Sequence, residues 1–393
     1  MSEKHRQPIH AKIAMCAMYI MLLCLLIVGV QCAPSTTKVG PNIVNCAEDE
    51  LPPEFQVHRK RERIIFLSDI DKSPNTGRIR ALDVSQNVIE DIFLDFPKNQ
   101  GLPILSPSEI YFVYRERIRE EKLQSVFGDR LVVYYQPVIR AIETQSELTV
   151  PMEIESGDLL DWSPDGKCLV VISNPRSEMG LYHLADGRYE TWELPRQIKF
   201  AAGSLSPNGR WLAGLCGQEV CVMKVNGEEV YRVSANTGLM SVDGFSWSPD
   251  SRYLLIRDGD WELSYLDANL GWAKQPLIDT TNCRPNCNDF RLPMISDWSP
   301  DGTKLAGEIF WPRHRVFIII EFPSGSYDFP VVDFRHPIWS PDSSQLADTK
   351  TSKEAGLLPA GIYKMRPDGE NWELIKEVEQ GEVTYALFWT SGE

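Results

Sequence analysis

Beyond about residue 60 the chain is a succession of short apolar runs, each ended by Gly, Pro, Asn, Asp or Ser. Runs such as Leu169-Val-Val-Ile172 and Leu254-Leu-Ile256 are continuous and β-branched or Leu-rich, the pattern of a buried strand. Others, such as Gly180-Leu-Tyr-His-Leu184, Glu219-Val-Cys-Val-Met-Lys-Val225 and Tyr189-Glu-Thr-Trp-Glu-Leu194, read as further strands beside them. Asp186-Gly187, Asn226-Gly227 and Asp368-Gly369 sit where a tight hairpin needs residues that tolerate positive φ. The elements predicted are therefore many short antiparallel strands.

The runs recur with a period. Trp162-Ser-Pro-Asp-Gly166 returns as Leu205-Ser-Pro-Asn-Gly209, Trp247-Ser-Pro-Asp-Ser251, Trp298-Ser-Pro-Asp-Gly302 and Trp339-Ser-Pro-Asp-Ser343, the serines 43, 42, 51 and 41 residues apart. An apolar stretch ending in Trp is a strand whose large side chain packs on the next unit. Ser-Pro-Asp-Gly is then a turn: Pro fixes φ, Asp bonds its own backbone, and Gly accepts positive φ. Four strands in roughly 40–45 residues is the period of a propeller blade.

The Trp-Ser-Pro-Asp-Gly-x-x-Leu-Ala pattern resembles the WD40-like repeats of TolB-type propellers, repeats also found in the propeller domains of prolyl-oligopeptidase-like proteins. The resemblance covers about residues 157–377 and implies a fold rather than an activity. Leu102-Pro-Ile-Leu-Ser-Pro107 is a degenerate copy, and Arg63–Ser68 with Gly77–Val84 reads as a blade lacking its innermost strand. Val383–Thr390 ends as the repeats do and supplies that strand, closing the ring and hiding its edges. The expectation is an all-β chain: a single propeller of seven four-stranded blades, with six or eight also compatible, closed by the C-terminal strand and preceded by an N-terminal hydrophobic helix. Two insertions interrupt the repeat. Arg115–Gln124 reads as a solvated helical turn with pairs such as Arg117 and Glu121, and the segment 280–291 accounts for the long 51-residue spacing.

The N-terminus differs in kind. Lys4, Arg6 and Lys12 precede an uncharged apolar run over residues 13–30, which reads as a signal peptide or a signal anchor that leaves the bulk of the chain outside. The domain expectation is 1–32 targeting segment, 33–59 linker and 60–393 propeller, with membrane contact through residues 13–30 if they are not cleaved. Cysteine usage agrees with an oxidising compartment. Cys216 and Cys221 flank a predicted hairpin, Cys283 and Cys287 close a short loop, and both pairs are expected as disulfides. Cys168, inside a buried strand, is expected to stay a thiol unless Cys46 reaches it.

Chemistry is sparse. A net charge of −15 excludes a nucleic-acid binder, which needs a basic face. There is no Gly-x-Ser-x-Gly elbow, phosphate loop or His-x-x-x-His pair, so no catalytic, cofactor-binding or metal residue is assigned. The expectation is a non-enzymatic, extracytoplasmic recognition or scaffold protein of the cell envelope with a protein partner, no cofactor, and Trp311, Arg313 and Arg315 on a loop as candidate partner surface. The alternative is a small-ligand or glycan binder, or an enzyme, using the central funnel. Asp161 and Asp297, each preceding the blade's Trp, are the residues that would serve it, although Ser204, Ser246 and Ile338 replace them in other blades.

Overall fold

Each Ser-Pro-Asp-Gly segment folds as a turn in which the serine does two jobs. Ser163 Oγ donates to Asp165 Oδ1 (2.6 Å) and accepts from Cys168 N (2.9 Å), while its carbonyl accepts from Gly166 N (2.8 Å). The same set recurs at Ser206, Ser248, Ser299 and Ser340. The degenerate copy keeps it too, since Glu109 N donates to Ser106 O and Tyr111 N to Ser106 Oγ. The turn is thus specified locally, before any blade packs.

A computed structural model describes residues 61–68, 76–97, 102–124, 129–156, 158–173, 178–194, 201–217, 219–234, 245–258, 262–279, 294–311, 314–328, 337–350, 359–368, 370–371, 373–378 and 383–392. Seven antiparallel sheets follow one another. Blade 1 holds β1 (Arg63–Ser68), β2 (Thr76–Asp83) and β3 (Val88–Pro97). Blade 2 holds β4 (Ile104–Leu105), β5 (Tyr111–Leu123), β6 (Arg130–Ala141), β7 (Glu147–Thr149) and a fifth strand, β8 (Ile154–Glu155), paired to β6. Blade 3 is β9 (Leu159–Trp162), β10 (Cys168–Ser173), β11 (Glu178–His183) and β12 (Tyr189–Glu193). Blade 4 is β13 (Ala201–Leu205), β14 (Trp211–Cys216), β15 (Glu219–Lys224) and β16 (Val230–Ser234). Blade 5 is β17 (Phe245–Trp247), β18 (Tyr253–Asp258), β19 (Glu262–Asp267) and β20 (Ala273–Asp279). Blade 6 is β21 (Met294–Trp298), β22 (Lys304–Trp311), β23 (His314–Glu321) and β24 (Tyr327–Asp328). Blade 7 is β25 (Ile338–Trp339), β26 (Leu346–Lys350), β27 (Gly361–Met365) and β28 (Glu373–Glu377). The last strand, β29 (Val383–Thr390), returns to blade 1 and pairs with β1, Ile64 opposite Trp389.

Seven apolar clusters fill the seven seams. Cys168, Val170 and Leu181 of blade 3 meet Leu212, Met223 and Val225 of blade 4, for example. The seam between Ala347 and Ile362 of blade 7 and Ile64, Phe66 and Trp389 of blade 1 closes the circle. The fold expected from the resemblance to TolB-type propellers is the one found: all-β, seven blades built on four strands, with β8 added to blade 2. Residues 13–30, where the N-terminal helix was expected, lie outside the described residues. Among the described residues, no helix is long and apolar enough to cross a membrane.

The first insertion departs from expectation. Arg115–Gln124 is no helical turn: its residues continue β5, which pairs with β6 from Tyr111 opposite Ala141 to Leu123 opposite Arg130. Its charges make cross-strand contacts instead. Arg119 lies over the Tyr134 ring, 3.5 Å from its centroid, and bonds Glu153 at 2.8 Å. Arg117 pairs with Glu120 rather than Glu121, and Lys122 with Asp129. At the hairpin's base Arg115 donates to the Asp158 carbonyl just before β9 (2.8 Å).

Cys216 and Cys221 are joined as a disulfide with Cα atoms 5.8 Å apart. The register puts Cys216 opposite Glu219 and Gly214 opposite Cys221, so the bridge runs diagonally across the hairpin instead of joining a facing pair. Cys168 is disulfide-bonded as well, where a thiol was expected unless Cys46 reached it; Cys46 lies outside the described residues. Cys283 and Cys287 lie outside the described residues. Non-reduced peptide mapping is expected to recover Cys216 linked to Cys221. Reduction of that bridge is expected to cost less than the ~3 kcal/mol of a 15-residue loop, because the loop it closes is short; free alkylation without reductant would contradict it.

Candidate functional site in the central channel

The innermost strand of each blade (β29, β4, β9, β13, β17, β21 and β25) is an edge strand with one side unpaired. That unpaired side faces the ring's axis, where backbone N–H groups lack ladder partners. Ser163 N donates to Cys168 O, so the alternating pattern turns the preceding amide, Trp162 N, away from β10 and toward the axis. Asp161 Oδ1 folds back and accepts it at 2.8 Å. Leu205 N, on the free edge of the next blade, also donates to this carboxylate. In blade 6 Ser299 N donates to Lys304 O, Trp298 N faces the axis, and Asp297 Oδ1 accepts it at 2.8 Å. Both carboxyls therefore stand at the channel edge, beside the ends of their strands that lead into the turns.

Their surroundings differ from a surface carboxylate's. Asp161 is half-buried, and burial pushes its carboxyl up to about 6 despite the two amide bonds. Asp297 is exposed to water. Nearby protein atoms desolvate its carboxyl in part and push it up to about 7, offset only by the Trp298 amide. No Lys or Arg occurs in any of the seven innermost strands, so no cation on them lowers either value.

The ring tryptophans form a second tier. Trp162 Nε1 donates to Ile104 O (3.0 Å) and Trp247 Nε1 to Ser204 O (3.2 Å), each locking onto the innermost strand of the preceding blade. Trp389 Nε1 donates to Glu62 Oε1 (3.1 Å). Trp298 and Trp339, both buried, have indole N–H groups with no partner. The sequence marked these residues as packing groups and gave no sign of this difference, because it depends on the distance between blades.

The candidate partner surface does not join this site. Trp311 ends β22 and pairs with His314, and Arg315 pairs with Phe310, so both lie on strands where a loop was expected; Arg313 lies outside the described residues. Trp311 stands at the far end of β22 from Lys304, whereas Asp297 faces Ala306, and the stretch of β22 from Ala306 to Trp311 separates the two by roughly 17 Å at ~3.3 Å per residue. No group of three or more His, Cys, Asp or Glu suited to a metal occurs among the described residues.

No protein-family model matches the chain, and no curated protein matches it. Solved structures do match. A Lactobacillus plantarum protein is 14% identical, with 84% of this chain and 100% of that chain covered and a TM-score of 0.51. The Pseudomonas aeruginosa periplasmic gluconolactonase is 13% identical over 83% of this chain and 99% of that one, TM-score 0.50. TolB from Acinetobacter baumannii is 16% identical over 80% of both chains, TM-score 0.42. At such identities the likeness is one of fold. It nevertheless overturns two expectations, that the protein is not an enzyme and that it is a non-enzymatic scaffold. Those rested on the lack of catalytic sequence motifs, yet a gluconolactonase of the same fold is matched over 99% of its chain.

Proposed function

We propose that the protein is an extracytoplasmic propeller that binds a small ligand in its central channel and acts on it there, with Asp297 as the acid–base group. The observation that carries this reading is the Asp297 carboxyl, exposed to water on the free edge of an innermost strand, held by the Trp298 amide and raised to about 7. A carboxyl half protonated at neutral pH both gives and takes a proton with little driving force lost, which is what general acid–base chemistry needs. Asp161 supports the same edge from blade 3 as a second, more acidic carboxyl. The disulfide fits an oxidising compartment, and residues 13–30 serve to carry the ring across a membrane.

Two results are expected. Asp297 is protonated in the fold but ionised in the unfolded chain between its ordinary value of 3.8 and about 7. Stability conferred by this group therefore falls as pH rises through that window and is level above it. Asp297→Asn should flatten that part of the curve in urea melts. Second, the full chain is to be screened with saccharides, sugar acids and aldonolactones by tryptophan fluorescence and product formation from pH 5 to 9. At least one compound should give a response with an inflection near 7 that Asp297→Asn removes. A panel without any response sensitive to Asp297 would defeat the reading.

A further inference from the structure

Cys168 is disulfide-bonded, and its partner follows from where each candidate cysteine joins the ring. Beyond residue 32 the other cysteines are Cys46, Cys216, Cys221, Cys283 and Cys287. Cys216 and Cys221 hold each other, which leaves three. Cys168 begins β10, directly after the Ser163 turn, so it stands at the turn face of the ring, in the seam of blades 3 and 4. The segment with Cys283 and Cys287 leaves after Asp279 and returns at Met294, and the register puts both at the other face. Asp279 is opposite Glu262, at the corner between β18 and β19, and Met294 is opposite Glu308, away from the Ser299 turn. From there Cys168 is a strand height away, roughly 17 Å at ~3.3 Å per residue, and more than one blade to the side at about 10 Å per packed sheet. Cys283, four residues beyond Asp279, reaches at most about 14 Å. Cys287 could meet Cys168 only along a straight path through packed side chains.

Cys46 meets no such barrier. The chain enters the ring on the turn face, where Glu62 Oε1 accepts from Trp389 Nε1 and Thr390 Oγ1 donates to Arg61 O. Beside it Ser391 bonds Glu109 in the blade 2 turn. That turn touches the next one, since a Cβ on Gly166 would lie 3.3 Å from Ser108 Oγ. The path from blade 1 to blade 3 therefore stays on one face. The chain between Cys46 and Arg61 spans up to about 50 Å, against roughly 25 Å from blade 1 to the far side of blade 3. The compact unit that contains the ring also begins at Gly40, ahead of Cys46. We propose that Cys46 and Cys168 are joined, so that residues 46–61 form a strap on the turn face, from the seam of blades 3 and 4 back to blade 1. The two thiols give up two protons and two electrons to a disulfide oxidant, RSSR, which leaves as two RSH, the exchange that an oxidising compartment supports. The strap orients the ring. With residues 13–30 retained in a membrane, only 31–45 remain as free linker, about half of what the sequence provides, and the turn face is held toward the bilayer. The hairpin of β5 and β6, whose tip lies past Leu123 and Arg130 at the other end of blade 2, then points away from it.

The test is a non-reduced tryptic map of the full chain, denatured and alkylated with N-ethylmaleimide before digestion. Peptide 39–59, which carries Cys46, is expected to be joined to 168–176, which carries Cys168. Cys46→Ser should release Cys168 as one additional alkylated cysteine. A second readout follows the strap in the native chain, nicked by trypsin at Arg59, Lys60 or Arg61. Its N-terminal piece should stay with the ring on a non-reducing gel, leave on reduction, and leave without reductant in Cys46→Ser. Cys168 joined to any other cysteine, or alkylated in the wild-type chain without reductant, would overturn the proposal. So would a wild-type N-terminal piece that leaves the nicked ring without reductant. The wild-type map decides the pairing even where the Cys46→Ser chain fails to fold.

Discussion

A chain cut after residue 382 is expected to lose its cooperative melting transition and to associate. The deletion removes β29, whose Trp389 and Ala386 are buried and whose backbone pairs along the whole of β1. Every residue of β1 is buried in the intact ring, so the cut would expose Ile64, Ile65 and Phe66 on a bare strand edge. It would also abolish the seam between blades 7 and 1, and the bonds from Ser391 N and Oγ to Glu109 Oε2 (2.7 and 2.6 Å) that tie blade 1 to the turn of blade 2. Loss of one large buried aromatic alone costs about 3–5 kcal/mol, a large part of a typical domain's 5–15. Calorimetry and size-exclusion chromatography decide the matter. A truncated chain that stays monomeric and melts as before would show that the ring does not depend on its closing strand.

Gly325→Ala is expected to destabilise by roughly 2–4 kcal/mol, among the largest effects of any single methyl group in the chain. Gly325 has φ 72° in the turn between β23 and β24, and a Cβ there would lie 2.0 Å from Leu277 O, a backbone atom of β20 in the neighbouring blade. Left-handed backbone costs a non-glycine residue about 1–2 kcal/mol, and the carbonyl can withdraw only by moving a strand. Gly180→Ala is the control. Its Cβ would also come within 2.0 Å of an atom, but that atom is the hydroxyl of the exposed Tyr189 side chain, which can swing into solvent. Urea melts should separate the two by more than 1 kcal/mol; equal effects would mean that the blade 5–6 seam yields more readily than its packing implies.

The blade count and ring closure were legible because the Ser-Pro-Asp-Gly turn is made by residues within six positions of one another, as Ser163, Asp165 and Cys168 show. The charged insertion was misread because alternating Arg and Glu satisfy helical neighbours and cross-strand neighbours equally well on paper. The partner that decides, Tyr134, stands 15 residues from Arg119. The Cys216–Cys221 bridge was legible, but its diagonal course was not, for a related reason: the tight corner sets a register that composition does not reveal. Asp161 and Asp297 were visible by position, but their absence from other blades counted against them. A ring needs only one blade to differ for a site to exist, so the irregular residue was the informative one. What sets Asp297 apart, a raised carboxyl that is exposed to water on a free inner edge, arises only from its place in the folded ring. The expectation of a non-enzymatic protein rested on missing sequence motifs, which say little about groups that meet only when separate blades close into a ring.

The meeting of the two ends of the ring has a consequence for engineering. A Cβ on Gly392 would lie 3.2 Å from Glu62 N, so the start of the described chain and its close are neighbours across β1 and β29. A peptide linker of a few residues joining them would turn a non-covalent clasp into continuous backbone. New ends could then be opened at another connection, such as the one between β12 and β13, giving a circularly permuted ring with the same seven seams. Which blade comes first would become a matter of genetic convenience, and a fused reporter could be placed on either face of the ring, near Asp297 or far from it.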